Sequence, residues 1–235
     1  MKNRRNDMKK VLSVALSLAL ALTLAGPSRA AEVPIEQGTA TPQTAGDGCL
    51  TNGRPVTEEN VLELLRQLQR DWPTNTVWGT NKTPGTHKNE VPSTEIGRLM
   101  QSYRVNNTYG CGAYASMVSS FIFGDTANPV RKLYDLSQIR PGDVIFRVRN
   151  DSGKVWHVTV ALESPNENNG FYFTDGNAGE TVQWPEVESP YSNKDNLDCY
   201  QGENSAYHLE VWTRYPESVP YTGASADVWF TTSEK

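Results

Sequence analysis

The hydrophobic pattern of this chain changes from helical to strand spacing at Pro141-Gly142-Asp143. Before this turn, apolar residues recur every three or four positions in segments that begin near Thr57, Ser93 and Cys111, which predicts three helices. After it, short runs rich in β-branched and aromatic residues predict strands. The order of helices followed by strands predicts an α+β fold. The predicted strands are 144–148, 157–162, 171–174, 207–212 and 227–230.

The N-terminus has the pattern of a secretory signal peptide. Five basic residues precede an apolar run over 11–24, and small residues follow at Ser28 and Ala30. The apolar run is too short for a comfortable membrane span. We therefore predict cleavage after Ala30 and a secreted protein, extracellular or in the cell wall, that has no membrane attachment after cleavage.

The charge of the chain excludes one class of partner. Removal of residues 1–30 takes away six basic residues and one acidic residue, which changes the net charge from −5 to about −10. Such a chain repels polyphosphates, and it has no stretch in which Lys and Arg alternate with aromatic residues. We therefore expect no binding to nucleic acid.

The remainder of the chain has the size of one domain. Residues 31–54 lack apolar periodicity and are rich in small residues, Thr and Pro, so they are predicted to form a flexible leader. Residues 55–230 are long enough to bury a sizeable core, and their turn-forming residues are spread throughout. The sequence thus predicts a single domain over 55–230, and we expect a monomer.

Three cysteines in an exported protein leave at least one without an internal partner. Cys49 and Cys199 lie in loop-like segments near the two ends of the domain, and an oxidising compartment favours a disulfide between them. Cys111 lies at the start of a helix between Gly110 and Gly112. A helix N-terminus stabilises a thiolate, and a first-turn N–H can donate to an oxyanion. Cys111 is therefore a candidate nucleophile, with a small buried apolar residue as the alternative.

A thiolate nucleophile needs an imidazole that exchanges protons with it, and the chain contains three histidines. His87 lies in a polar loop, where we expect it to be solvated. His208 lies in an apolar strand segment, where we expect a structural role. His157 begins a predicted strand and is the candidate base.

The hairpin that follows His157 supplies a candidate third group. A turn centred on 166–168 brings residues 175–179 opposite His157. Asp175 and Asn177 are two positions apart and share one face of their strand, so either can accept from the ring N–H and fix the tautomer. The alternative is an ordinary tight turn, for which Asp-Gly-Asn is also a signal.

Four short segments, taken in order, resemble the CHAP family of cysteine, histidine-dependent amidohydrolases/peptidases and its NlpC relatives. The resemblance covers about residues 93–184 and implies a papain-like α+β fold with N-terminal helices. In that fold the nucleophile lies at a helix N-terminus, packed on an antiparallel sheet that carries the His and Asp/Asn. Gly112 and Asp175 depart from the family pattern, which often has Thr or Ser and Glu there. The four segments are CGAYA (111–115), RPGDVI (140–145), WHVTVALES (156–164) and TDGN (174–177).

The resemblance implies a peptidoglycan amidase or endopeptidase that needs no cofactor. A metal is not expected, because no CxxC or HExxH pattern occurs. Tyr109, Gly110 and Trp156 are the candidate substrate-binding residues. Two alternatives remain: a secreted papain-like peptidase or acyltransferase that acts on proteins, and a catalytically silent module that binds cell wall or a partner, in which Cys111 is structural.

Overall fold

The described part of this computed structural model has a mixed α+β fold with a mostly antiparallel sheet, as the hydrophobic pattern predicts. The predicted signal peptide, most of the predicted leader and the predicted strand 227–230 lie outside the described residues. Residues 48–54 are described, and Leu50 is completely buried there. Packed chain therefore reaches back into the segment that the sequence assigns to the leader. The structure describes residues 48–78, 95–105, 110–125, 127–178, 180–185, 193–202 and 205–224, without the side chains of 177 and 178.

Within these ranges the chain forms three α-helices: α1 (Glu58–Asp71), α2 (Glu95–Ser102) and α3 (Gly110–Phe123). The predicted start of α1 near Thr57 is confirmed, and the Thr57 hydroxyl caps the helix by accepting from the Asn60 N–H at 3.2 Å. The predicted start of α3 is also confirmed to within one residue. Helix α3 contacts α1, α2 and the sheet, and it is therefore buried on most sides. No helix among the described residues is long and apolar enough to cross a membrane.

The sheet has the strand order β1-β7-β2-β3-β4-β5, and β6 pairs with β4. The sequence predicts β2, β3, β4 and β7, but it misses three strands of three residues each, because so short a strand shows no alternation. Strand β7 lies between β1 and β2 and pairs with both. The strands are β1 (Arg131–Leu133), β2 (Val144–Arg149), β3 (Val155–Ala161), β4 (Gly170–Ala178), β5 (Thr181–Gln183), β6 (Lys194–Asn196) and β7 (Tyr207–Thr213).

Both faces of the central strand β2 are buried. Val144 and Phe146 of β2 belong to the larger hydrophobic cluster, which includes most apolar residues of the helices. Ile145 lies between them in sequence and packs with Val211 in a second, smaller cluster. Burial on both faces explains why 144–148 is a nearly continuous apolar run rather than an alternating one.

All three cysteines are free thiols, so the structure contains no Cys49–Cys199 disulfide. Cys49 forms a β-bridge with Pro55, and its carbonyl accepts from Asn128 Nδ2 at 2.9 Å. Cys199 is exposed in a short 3₁₀ helix, Leu197–Tyr200. Cys49 and Cys199 therefore lie in separate local structures, and the predicted disulfide between them is absent from the structure.

Candidate active site

Cys111, His157 and Asp175 come together where the N-terminus of α3 meets β3 and β4. The Nε2 atom of His157 lies 2.8 Å from Oδ2 of Asp175. The Cys111 side chain lies close enough to the same ring to raise the pKa of His157. Because Nε2 faces Asp175, Nδ1 is the nitrogen that remains for Cys111. This is the arrangement of a nucleophile, a base and an orienting carboxylate.

The site favours the protonated form of His157. Burial of the ring lowers its pKa, but the hydrogen bonds and charges of Asp175 and Cys111 outweigh this effect and raise the pKa of His157 from 6.5 to about 9. The side chains of His157 and Asp175 are only 18% and 5% exposed, so water screens their attraction poorly. At neutral pH the ring is therefore an imidazolium, the partner that a thiolate requires.

The register of the sheet explains why Asp175 reaches the ring. Val160 pairs with Thr174, which places Asp175 opposite residue 159, one same-face step from His157. The pairing of β4 with β5 shifts between Asp175 and Ala178, and such a bulge redirects side chains. The structure thus brings Asp175 to the imidazole. The side chain of Asn177, the other candidate, lies outside the described residues.

Gly176 lets β4 approach α3 closely. A Cβ atom at this position would lie 2.3 Å from Cβ and Cγ of Tyr114. Tyr114 is completely buried, and its hydroxyl lies 2.7 Å from Oγ1 of Thr174. The Asp-Gly-Asn segment therefore continues a strand rather than forming a tight turn. Since Tyr114 lies one helical turn after Cys111, this contact fixes Cys111 relative to β4.

Trp78 anchors the start of α3, although the sequence pattern around it gives no sign of this role. Its Nε1 donates to the carbonyl oxygen of Gly110 at 2.9 Å, and the indole is completely buried. Gly110 has φ +72°, a left-handed conformation that favours glycine. The indole also packs edge-on against Tyr114, with ring centroids 5.3 Å apart. Gly110, which precedes Cys111, is therefore held in place by a hydrogen bond from a buried side chain.

Trp156 presents an exposed aromatic surface beside the base. Its side chain is 59% exposed, and its ring centroid lies 5.6 Å from that of His157. The β2–β3 register shifts next to Arg147, which pairs with His157, and this leaves Trp156 as the extra residue of a bulge. Tyr207 packs against its ring at 5.3 Å. The position of Trp156 agrees with a substrate-contacting role, and Tyr207 is a neighbour that the sequence does not reveal.

The other candidates do not take part in this cluster. Tyr109 and His87 lie outside the described residues. His208 Nδ1 lies 2.5 Å from Oδ1 of Asn150, and its side chain is 44% exposed. In the described part of the chain, no group of three or more His, Cys, Asp or Glu residues is arranged to hold a metal ion.

Comparison with known proteins provides no relative from which a role could be transferred. The chain matches no family model, and it has no significant match among curated proteins or among solved structures. The geometry of Cys111, His157 and Asp175 therefore carries the functional interpretation. That geometry places a thiol beside an imidazolium that is hydrogen-bonded to a buried carboxylate, which is suited to nucleophilic attack on a carbonyl group.

Proposed function

We propose that this protein is a secreted cysteine hydrolase that cleaves amide bonds in peptidoglycan. Cys111 is the nucleophile, His157 exchanges protons with it, and Asp175 orients the imidazole. The hydrogen bond between His157 and Asp175, with Cys111 close enough to raise the pKa of His157, is the observation that supports this proposal. A cysteine with a purely structural role requires neither an imidazolium beside it nor a buried carboxylate behind that imidazolium.

The reaction proceeds by acyl transfer. The Cys111 thiolate attacks the amide carbonyl carbon, a C–S bond forms, and the carbonyl electrons move to oxygen. The Cys111 N–H, in the first turn of α3, donates to this oxyanion. The C–N bond then breaks, and His157 gives its proton to the leaving amine. Neutral His157 next takes a proton from water, which attacks the thioester. The C–S bond breaks, and the acid leaves as the thiolate–imidazolium pair is restored.

Three further observations support peptidoglycan as the substrate. Four segments between 111 and 177 resemble the CHAP family, for which the cell wall is the expected substrate. A buried nucleophile helix packed on an antiparallel sheet agrees with the papain-like arrangement that this resemblance implies. The signal-peptide pattern of residues 1–30 would deliver the enzyme to the wall.

Hydrolysis of purified sacculi tests the proposal. We expect Cys111→Ala and His157→Ala each to lower the rate by at least about 10³-fold, since each removes a group that acts in the reaction. Cys199→Ala is the matched control, because it removes an exposed free thiol outside the site, and it should retain the wild-type rate. Wild-type hydrolysis by Cys111→Ala would exclude this mechanism. Mass spectrometry of the released muropeptides identifies the bond that is cut.

Two measurements separate the proposal from its alternatives. Casein offered in place of sacculi tests for a peptidase or acyltransferase that acts on proteins, and preference for casein would reject the wall as substrate. Alkylation with iodoacetamide at about pH 6 tests for a silent binding module. A Cys111 thiolate paired with His157 should react faster than Cys49 and Cys199, whereas an inert Cys111 would indicate a structural cysteine.

A further inference from the structure

We propose that Trp78 is a positioning residue for catalysis. Its indole N–H fixes the peptide group between Gly110 and Cys111, so that the Cys111 N–H points to the oxyanion of the tetrahedral intermediate. This inference rests on the proposed function, because it assigns an orienting group to the oxyanion donor of the same site. Trp78 itself does not touch the substrate and acts through the backbone.

The geometry of one peptide group carries the inference. The carbonyl of Gly110 and the N–H of Cys111 belong to the same planar trans unit and point in opposite directions. Trp78 Nε1 holds the carbonyl oxygen at 2.9 Å, in a completely buried position. The N–H of Cys111 is therefore directed away from Trp78. Since Cys111 is the second residue of α3, the helix itself provides no acceptor for this N–H.

Without this hydrogen bond, the orientation of the peptide group would be poorly fixed. Gly110 has φ +72°, and glycine populates positive and negative φ about equally readily. The anchor itself is held on several sides. The backbone N–H of Trp78 donates to the Glu180 carbonyl at 2.9 Å, and the indole packs edge-on against Trp72 and Tyr114. The indole therefore ties Gly110, whose backbone has unusual conformational freedom, to a fixed part of the fold.

The hydrogen bond also strengthens the oxyanion donor. A donor at the carbonyl oxygen polarises the amide, and the N–H of the same unit becomes more positive. Because Trp78 is completely buried, water does not compete for the carbonyl there. The indole therefore acts on both the direction and the donor strength of the Cys111 N–H.

Two reactions of Cys111 isolate this effect. Acylation by p-nitrophenyl acetate forms a C–S bond through an oxyanion and then breaks the ester C–O bond to release p-nitrophenolate. Alkylation by iodoacetamide forms a C–S bond as iodide leaves and has no oxyanion. Trp78→Phe keeps an aromatic ring and removes the N–H. We expect it to lower the ratio of acylation to alkylation rates by about 10-fold or more, because a lost oxyanion donor costs about 10²–10³-fold in kcat.

The same variant should lower kcat for sacculi with little change in KM, since the interaction is made in the transition state. Trp184→Phe is the matched control. Trp184 is 1% exposed, and its Nε1 donates to the Trp72 carbonyl at 2.7 Å, so the substitution removes an equivalent hydrogen bond away from the Gly110 carbonyl. Its acylation-to-alkylation ratio should equal that of the wild type. Peptide mass spectrometry quantifies the modification at Cys111.

A wild-type ratio in Trp78→Phe would overturn the role of Trp78 alone, whether both rates are unchanged or both fall by the same factor. If the wild-type Cys111 reacts with the ester no faster than exposed Cys199, the proposed function fails and the role of Trp78 fails with it. Should Trp78→Phe not fold, β-(3-benzothienyl)alanine at position 78 keeps the indole shape with sulfur in place of the N–H. The ratio of acylation to alkylation rates in that variant then tests the role of Trp78.

Discussion

Nε2 of His157 lies 2.8 Å from Oδ2 of Asp175, and only 5% of the Asp175 side chain is exposed. A buried carboxylate at this distance stabilises the imidazolium far more than a solvated one would. The pKa of His157 is consequently about 9, well above its usual value. The protonation state of the ring at neutral pH thus depends largely on Asp175.

Asp175→Asn keeps the size of the side chain and a hydrogen-bond acceptor, but it removes the charge. We expect kcat to fall by about 10²–10⁴-fold. The imidazolium is present below the pKa of His157 and is lost as the pH rises through it, so the wild-type kcat/KM should decline above about pH 9. In the variant this decline should move to lower pH, toward 6.5. Asn177→Ala is the comparison, and a shift in that variant alone would make Asn177 the orienting residue.

Gly176→Ala should destabilise the protein and inactivate it. The added Cβ would lie 2.3 Å from Cβ and Cγ of the buried Tyr114, atoms too close to the backbone to move away easily. We expect the free energy of unfolding to fall by about 1–3 kcal/mol or more, measured by urea denaturation. At Gly202 nothing lies within 4 Å of an added Cβ, so Gly202→Ala should be nearly neutral. Equal stability of the two variants would contradict the close contact between β4 and α3.

Trp156→Ala should weaken substrate binding with little loss of stability. The indole is 59% exposed beside His157, so it contributes more surface to a ligand than to the core. With a soluble muropeptide we expect KM to rise by about 5- to 10-fold. Tyr134, whose side chain is 88% exposed, provides the control Tyr134→Ala with unchanged kinetics. An unchanged KM together with a large decrease in Tm would instead assign Trp156 to packing.

Glu58→Ala should cost about 3–5 kcal/mol of stability, because it removes the carboxylate that is paired with the buried guanidinium of Arg140. The Glu58 side chain is 1% exposed and lies 3.7 Å from Arg140 Nε. It also accepts from the N–H of Thr222 at 3.0 Å. Glu63 lies on the same helix, but its ion pair is exposed, so Glu63→Ala should cost less than about 1 kcal/mol. Urea titration of both variants checks the difference, and similar losses would contradict the buried pair.

The sequence was sufficient to predict α3 and β3, which carry Cys111 and His157, whereas the predicted strand 171–174 stops just before Asp175. The starts of α1 and α3 follow from apolar spacing, and the positions of β2, β3 and β7 follow from runs rich in β-branched and aromatic residues. The choice between Asp175 and Asn177 could not be made in this way. Residues two apart share a strand face, and the register and bulge that favour Asp175 depend on the neighbouring strands.

Other features depend on contacts between distant parts of the chain. The Asp-Gly-Asn segment has the composition of a turn, but Gly176 is in a strand because Tyr114 packs against it. Trp78 contacts Gly110 across a long separation in sequence, and no local pattern encodes that hydrogen bond. The Cys49–Cys199 disulfide was predicted from the compartment and the number of cysteines. Neither indicates whether the two residues have the distance and orientation that a disulfide requires.

The place of β7 in the sheet has a consequence for when the proposed active site becomes competent. β7 pairs with β2, which pairs in turn with the strand that carries His157. A chain that stopped before Tyr207 would leave β2 with an open edge and would lack Val211 in the core. Cys111, His157 and Asp175 are synthesised earlier than β7, but the strands behind them are not fully paired until β7 is present. We therefore expect a growing or truncated chain to be inert, so that hydrolytic activity begins only once the polypeptide is complete through Thr213.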